Sequence, residues 1–298
     1  MPTTDTATAA ATSESDGRLD RELAGIDALG LAVPSAPNRA KAIWSSTWPK
    51  LLAIGIFVGA WQVVVWSHWK DPYILPGPVA TFRSLFDNRD TLARAALDTL
   101  QRGALGFAIA TVIGSVVGLA VARSRVLRSG VGSMITGLQT MPSIAWFPLA
   151  IVLFHLSIWA VLFVVILGAA PSIANGLLTG IDNIPPILLR AGRVLGANGW
   201  SALRHVILPA AMPSFVGGLK QGWAFAWRSL LAGELIGAVA GTHALGQVLD
   251  ADRSFSDYTG MMAAMVTIFI VGVVMDAAVF GQLDRFVRRR HGLIDTAT

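Results

Sequence analysis

Cysteine is absent from all 298 residues, so disulfides and thiolate metal sites are excluded outright. Charge is scarce as well: Asp, Glu, Lys and Arg make up 14% of the chain, against 54% hydrophobic residues. A water-soluble domain carries more charge than that, so lipid is the implied solvent. No GxxxxGK[ST] loop occurs, which removes the usual backbone cradle for a nucleotide phosphate. The five histidines, His68, His155, His205, His243 and His291, stand at wide spacing with no HExxH or comparable set. Neither a metal site nor a catalytic constellation is therefore expected. Short segments of alternating polarity, the mark of a membrane barrel, are missing too.

What is present is a series of long apolar runs: Leu51 to Trp66, Gly103 to Ala122, Val131 to Ile181, Ala210 to Leu249 and Met261 to Leu283. A helical span needs roughly 20 apolar residues, and the third run is long enough for two. The reading is an all-α membrane protein of six transmembrane helices, at about residues 49–67, 100–122, 131–154, 157–181, 210–238 and 260–283. Residues 1–45, rich in Ala, Thr, Ser and Asp, read as a disordered tail and lack the apolar core of a signal peptide. The membrane domain then occupies 46–290, with 291–298 as a second tail.

The net charge of +5 is distributed unevenly. Four stretches, Arg18 to Lys50, Arg123 to Arg128, Arg190 to Arg204 and Arg285 to Arg290, hold 15 of the 23 basic residues, all on one side of the spans. By the positive-inside rule that side, with both termini, is cytoplasmic. The charge is thus accounted for by topology in a lipid bilayer, and no nucleic acid is called for.

Several spans carry further signals. Gly106, Gly114 and Gly118 place small residues at four-residue spacing on span two, which lets another helix approach closely. Pro142 and Pro148 in QTMPSIAWFPL free backbone groups within span three, consistent with a broken helix lining a pathway or with a simple kink. DPYILPGPVATFRSLF reads either as a turn followed by a surface helix or as a plain loop.

Residues 184–208 form a basic, amphipathic interruption between two apolar blocks. Asp182 or Asn183 is expected to cap a helix started by Pro185 and Pro186, with Ile187, Ala191 and Leu195 on one stripe. Gly196 should stop it and Asn198-Gly199 turn the chain. A second short helix with Trp200, Leu203 and Val206 on one face should then end at Pro209. A DNA-reading helix-turn-helix is disfavoured by membrane tethers at both ends, which leaves an amphipathic loop on the lipid surface or a docking knob for a cytoplasmic partner.

The spacing here resembles a known family. Arg190-Ala191-Gly192, three residues, Gly196, nine residues, then Val206-Ile207-Leu208-Pro209 is similar to the "EAA" signature of ABC importer permease subunits, EAA-x3-G-x9-I-x-L-P. YILPGPVAT, MPSIAWFPLAIVLF, LGAAPSIANGL, WRSLLAGELIG and ALGQVL look like the nitrate, sulfonate, taurine and bicarbonate branch. The resemblance implies the type I permease fold, with the elbow as a coupling helix whose ATPase contacts are Arg190, Ala191, Gly192, Leu195, Gly196, Ala197 and Pro209. It also implies a second permease copy as a homodimer, two ATPase subunits that bind ATP and Mg, and an extracytoplasmic substrate-binding protein. The location would be the bacterial cytoplasmic membrane, with no cofactor and no catalysis in this chain. The implied cargo is an aliphatic sulfonate or taurine, or nitrate or bicarbonate; relatives of this kind also move pyrimidine precursors. Arg190 stands where the family has Glu, Gly192 where it has Ala and His155 where it has Gly, so no particular salt bridge at 190 is carried over.

Polar residues within spans mark candidate substrate contacts, because an ionisable group in hydrocarbon costs roughly 2.5 to 3.5 kcal/mol on insertion scales. Arg228 reads either as half of a structural ion pair or as a positive group on the path of an anion. Glu234 reads as structural or gate-forming, since its carboxylate would repel the anion. Gln139, Ser143 and Asn175 are further candidates, each also readable as a helix-packing hydrogen bond. Lys220 reads as snorkelling from the cytoplasmic end ahead of a substrate contact. A stand-alone secondary transporter would want inverted repeats and coupling carboxylates, and only Glu234 and Asp276 are on offer.

Overall fold

The computed structural model describes residues 39–236 and 243–291, and among these it contains helices and turns but no strand. The first helix, α1 (Arg39–Trp66), includes a spanning stretch Thr47–Trp66 whose Ile54, Ile56 and Phe57 are exposed, as a lipid-facing wall requires. Helix begins at residue 39, so residues 39–45, expected in the disordered tail, are already helical, and Pro49 lies inside the helix rather than before it. The rest of the expected N-terminal tail, and all of the second tail but His291, lie outside the described residues.

From Val64 onward a separate unit begins. Gly77 and Pro78 open a short helix, α2 (Pro78–Asp87), which settles the choice between helix and loop in favour of the helix. Tyr73 holds the preceding turn in place: its hydroxyl donates to Ser256 O at 2.8 Å and its ring meets Tyr258 edge-on at 5.5 Å. Then follow α3 (Arg89–Arg123), α4 (Arg125–Thr140), a 3-10 turn Ser143–Trp146, α5 (Phe147–Phe154) and α6 (Ile158–Asp182). The chain continues through α7 (Pro186–Val194), α8 (Gly199–Ala202), α9 (Leu208–Ile236), α10 (Leu245–Ser254), α11 (Tyr258–Met275) and α12 (Gly281–Arg290).

The core is built around α6, whose apolar window is 61% buried, far more than the other four unbroken spans among the described residues. It packs between α3 and α9, with Val164, Val165, Ala169 and Ile173 against Ala110, Ala226 and Leu230. Small residues make that packing close, as in lipid, where helices associate by contact rather than by the hydrophobic effect. A Cβ at Gly114 would lie 2.6 Å from Ala170 O, and Gly106 and Gly118 face α6 in the same way. The expected small face of span two is therefore a helix-contact face.

Span three is the broken helix of the two readings of its prolines, not the simple kink. Its two halves, Val126–Thr140 and Ser143–Phe154, meet at 102°, a turn rather than a kink. The residue before a proline is pushed out of the helical region, and Met141 has φ −82° and ψ 128° ahead of Pro142. Hydrogen bonds from both sides hold the break: Gln139 Nε2 donates to Pro171 O at 3.0 Å, and the Ser143 and Ser229 hydroxyls lie 2.5 Å apart. The Ser229 proton is directed to Phe225 O, so Ser143 is the donor in the second contact. Counting the bent pair as one span gives six candidate spans among the described residues.

Candidate functional site

Two places on the second unit combine exposed or unpaired groups with defined geometry: the elbow between α6 and α9, and a cavity along α9. The elbow begins differently from expectation. Asn183 caps the C-terminus of α6, its N–H donating to Thr179 O, and Pro185 occupies the N-cap of α7 with Pro186 at the first helical position. A proline tolerates that position because its missing N–H would have no partner there.

The end of α7 is a full Schellman turn. Ala197 N donates to Gly192 O at 2.9 Å and Gly196 N to Arg193 O at 3.0 Å, with Gly196 at φ +83°. The left-handed backbone explains glycine at that position in physical terms. Gly192 is buried against Val206, so the two limbs of the elbow touch there.

The stripe expected from Ile187, Ala191 and Leu195 is present but stays exposed among the described residues. Ile187 and Ala191 are exposed, Val194 is 87% and Leu195 86% exposed, and Trp200 is exposed beyond the turn. Arg190, Arg193 and Arg204 are exposed around them. The tip is thus apolar with a cationic rim.

The second limb is not a separate helix ended by Pro209. It runs without interruption into span five as one stretch, Gly199–Ile236, through a π turn at Leu203–Ile207. The wider π turn just upstream makes room for a proline ring that would otherwise press on the carbonyl four residues earlier. His291, expected only as part of a tail, returns to this point: its Nε2 lies 2.9 Å from Pro209 O and its Nδ1 2.8 Å from Val287 O. No sequence period signals that contact.

On α9, one face (Gly218, Gly222, Ala226, Ser229, Gly233) packs inward, while Lys220, Ala224, Trp227 and Arg228 follow at helical spacing on another. With Gly272 and Asp276 they line an open cavity of about 530 Å³. The Lys220 Nζ pairs there with Asp276 Oδ1 at 3.1 Å, where a second π turn, Asp276–Phe280, follows α11. Arg228 donates through Nε to its own Ala224 O at 2.9 Å and stacks over Phe225 at 4.8 Å. Trp223 and Trp227 stack as the apolar wall.

Of the other polar candidates, none lines this cavity. Glu234 is 2% exposed and ties three helices together. Its Oε2 accepts from Thr99 Oγ1 at 3.0 Å and Gly246 N at 3.2 Å, Oε1 lies 3.7 Å from Arg102 Nη1, and Thr99 Oγ1 in turn accepts from Leu245 N at 2.9 Å. Gln139 and Ser143 lie together at the break of span three, and Asn175 is half-buried on α6. Beyond Glu234, near the end of α10, the Asp252 carboxyl is pushed above the usual carboxylate range by burial and then by the charge of Asp257, the N-cap of α11.

Residues 110–291 match the family of binding-protein-dependent transport system inner membrane components. The chain belongs to that family.

Relatives place the permease in the nitrate, sulfonate and taurine branch. It is 28% identical over 239 residues to a nitrate import permease of Synechococcus elongatus, covering 76% of this chain and 84% of that one. It is 27% identical over 251 residues to a putative aliphatic sulfonates transport permease of Bacillus subtilis, covering 83% and 88%. It is 26% identical over 249 residues to the taurine transport system permease of Escherichia coli, covering 80% and 90%. A chain of the MetNI methionine ABC transporter, in an inward-facing crystal form, superposes with a TM-score of 0.55 at 24% identity, covering 68% of the permease and 97% of that chain. The permease therefore has the all-α fold of ABC importers and is a multi-pass membrane protein.

Proposed function

We propose that the permease is the membrane subunit through which an ATP-driven importer moves a small anion, an aliphatic sulfonate or taurine, or nitrate or bicarbonate, into the cell. The observation that carries the reading is Arg228: a cation on a spanning helix, aimed into a cavity, without a carboxylate partner among the described residues. Names of the relatives, nitrate, sulfonate and taurine permeases, support the same class of cargo.

The elbow supports the driven half of the mechanism. Its apolar tip and cationic rim suit a cleft on a cytoplasmic ATPase subunit, with Arg190 facing an acidic group there in place of the family's reversed pair. Two such subunits bind ATP and Mg and, on closing, shift two elbows, one from each of two permease copies. The exposed Lys220, Asp276 and Arg228 cannot face lipid cheaply, so the second copy covers this side and the anion path runs between them. The basic stretches put the elbow and both termini in the cytoplasm. A substrate-binding protein then delivers cargo at the opposite end, where α2 and α10 lie.

Reconstitution in liposomes with the ATPase and binding protein tests this. Uptake of a labelled sulfonate, taurine, nitrate or bicarbonate is expected only with ATP inside and the binding protein outside. Uptake of equal rate without either would overturn the reading in favour of a secondary transporter.

A further inference from the structure

Among the residues lining the cavity on α9, three carry formal charge: Lys220, Arg228 and Asp276. Lys220 and Asp276, 3.1 Å apart, neutralise one another. Arg228 enters none of the ion pairs among the described residues. The lining therefore carries one uncompensated positive charge in the middle of a spanning segment, where such a charge is costly unless it is met.

The side chain that carries it is suited to meet it. Arg228 spends only its Nε–H, on Ala224 O, which leaves four N–H groups on the two terminal nitrogens. A planar guanidinium presents these as a fork that matches the oxygens of an oxyanion. The stacked indoles of Trp223 and Trp227 supply the apolar wall beside it, and the cavity, about 530 Å³, holds a small solute with room to spare.

We propose that the cavity takes one singly charged small oxyanion on Arg228, and that Asp276, by holding Lys220, sets that charge limit. This inference rests on the import reading above, whose nitrate, bicarbonate and sulfonate groups each carry a single negative charge, and adds the feature that turns dianions away. A dianion would leave the lining with a net negative charge, or would have to pull Lys220 away from Asp276. A monoanion closes the balance and leaves the pair intact. Asp276 sits at the first residue of the π turn Asp276–Phe280, a departure from regular helix of a kind frequent at functional positions.

The test uses the permease with its ATPase subunits in lipid nanodiscs, without the binding protein, so that selection by that protein is removed. Calorimetric titrations with nitrate and methanesulfonate, as monoanions, are compared with sulfate at matched ionic strength. The wild-type complex should bind both monoanions more tightly than sulfate by roughly tenfold, and Asp276→Asn should shift that ratio toward sulfate by a similar factor. Lys220→Gln should weaken every anion, and Arg228→Gln should remove binding altogether. The double variant Lys220→Gln with Asp276→Asn restores a lining of net +1, so it should recover the wild-type ratio, which a merely disrupted fold would not do. An unchanged ratio in Asp276→Asn, a double variant that keeps the shifted ratio of Asp276→Asn, tighter sulfate binding by the wild type, or monoanion binding that survives Arg228→Gln overturns the proposal. ATP-dependent uptake by the wild-type complex is measured alongside in liposomes with the binding protein outside: uptake with an unchanged ratio overturns the charge limit alone, whereas no uptake of any anion overturns the import reading itself.

Discussion

Gly192 and Val206 face each other across the elbow so closely that a Cβ at Gly192 would lie 2.9 Å from Val206 Cγ2. The contact joins α7 to the π turn and sets the angle at which the exposed tip is presented. Gly192→Leu should pry the limbs apart and reduce ATPase co-purification severalfold while membrane insertion is retained. Adding Val206→Ala should recover much of the loss. Equal ATPase recovery with Gly192→Leu alone would show that the elbow angle is irrelevant to docking.

Gly196 is different, since the space where its Cβ would stand is open. Any loss on substitution there comes from the φ of +83° and from what docks on the turn, not from a clash within the chain. Gly196→Val, β-branched and strained at that φ, should nearly abolish transport and lower ATPase co-purification. Normal co-purification with normal transport would count against the turn as a docking element.

His155 lies between α5 and α6 with φ 56° and ψ −166°, a region almost reserved for glycine. Strain of that kind costs about 1 to 3 kcal/mol, and glycine returns part of the gain as chain entropy when unfolded. His155→Gly should therefore raise the thermal midpoint of the purified permease, with transport unchanged. A lower midpoint would mean that the imidazole makes a stabilising contact in the assembled complex.

Asp252 provides a pH dependence. Burial and the neighbouring Asp257 raise its folded pKa, so the folded state holds the proton more tightly than the unfolded chain. The stability it contributes is fully present below the ordinary aspartate range and is lost as pH rises through the raised value. Asp252→Asn should accordingly be more stable than wild type at pH 7, with the gap closing under acid. A thermal shift series from pH 4 to 8 in which the two curves stay parallel would rule this out.

The sequence made some of these features readable and hid others. Apolar run length located the spans, and small residues at four-residue spacing marked the α3 face that meets α6. Gly196 was legible because a Schellman turn is a local device. By contrast, the 102° turn at Met141-Pro142 depends on Pro171 and Ser229, which belong to other helices, and proline alone signals a break without its angle. The pairing of Lys220 with Asp276 joins two spans, and periodicity within one helix says nothing about partners on the next. Arg228 and Glu234 were separable in sequence by their 120° offset, yet only the fold shows one lining a cavity and the other locked to Thr99 and Gly246. Pro209 misled because a proline was read as a stop, where the π turn ahead of it accommodates the ring.

That accommodation has a mechanical consequence. A helix of 38 residues from Gly199 to Ile236 is a rod of roughly 57 Å, stiff along its axis and anchored at one end in the elbow. In the proposed importer a displacement of the elbow is passed along this continuous helix toward Arg228 as a tilt or a translation, so the distance between chemical fuel and cargo is bridged by geometry alone.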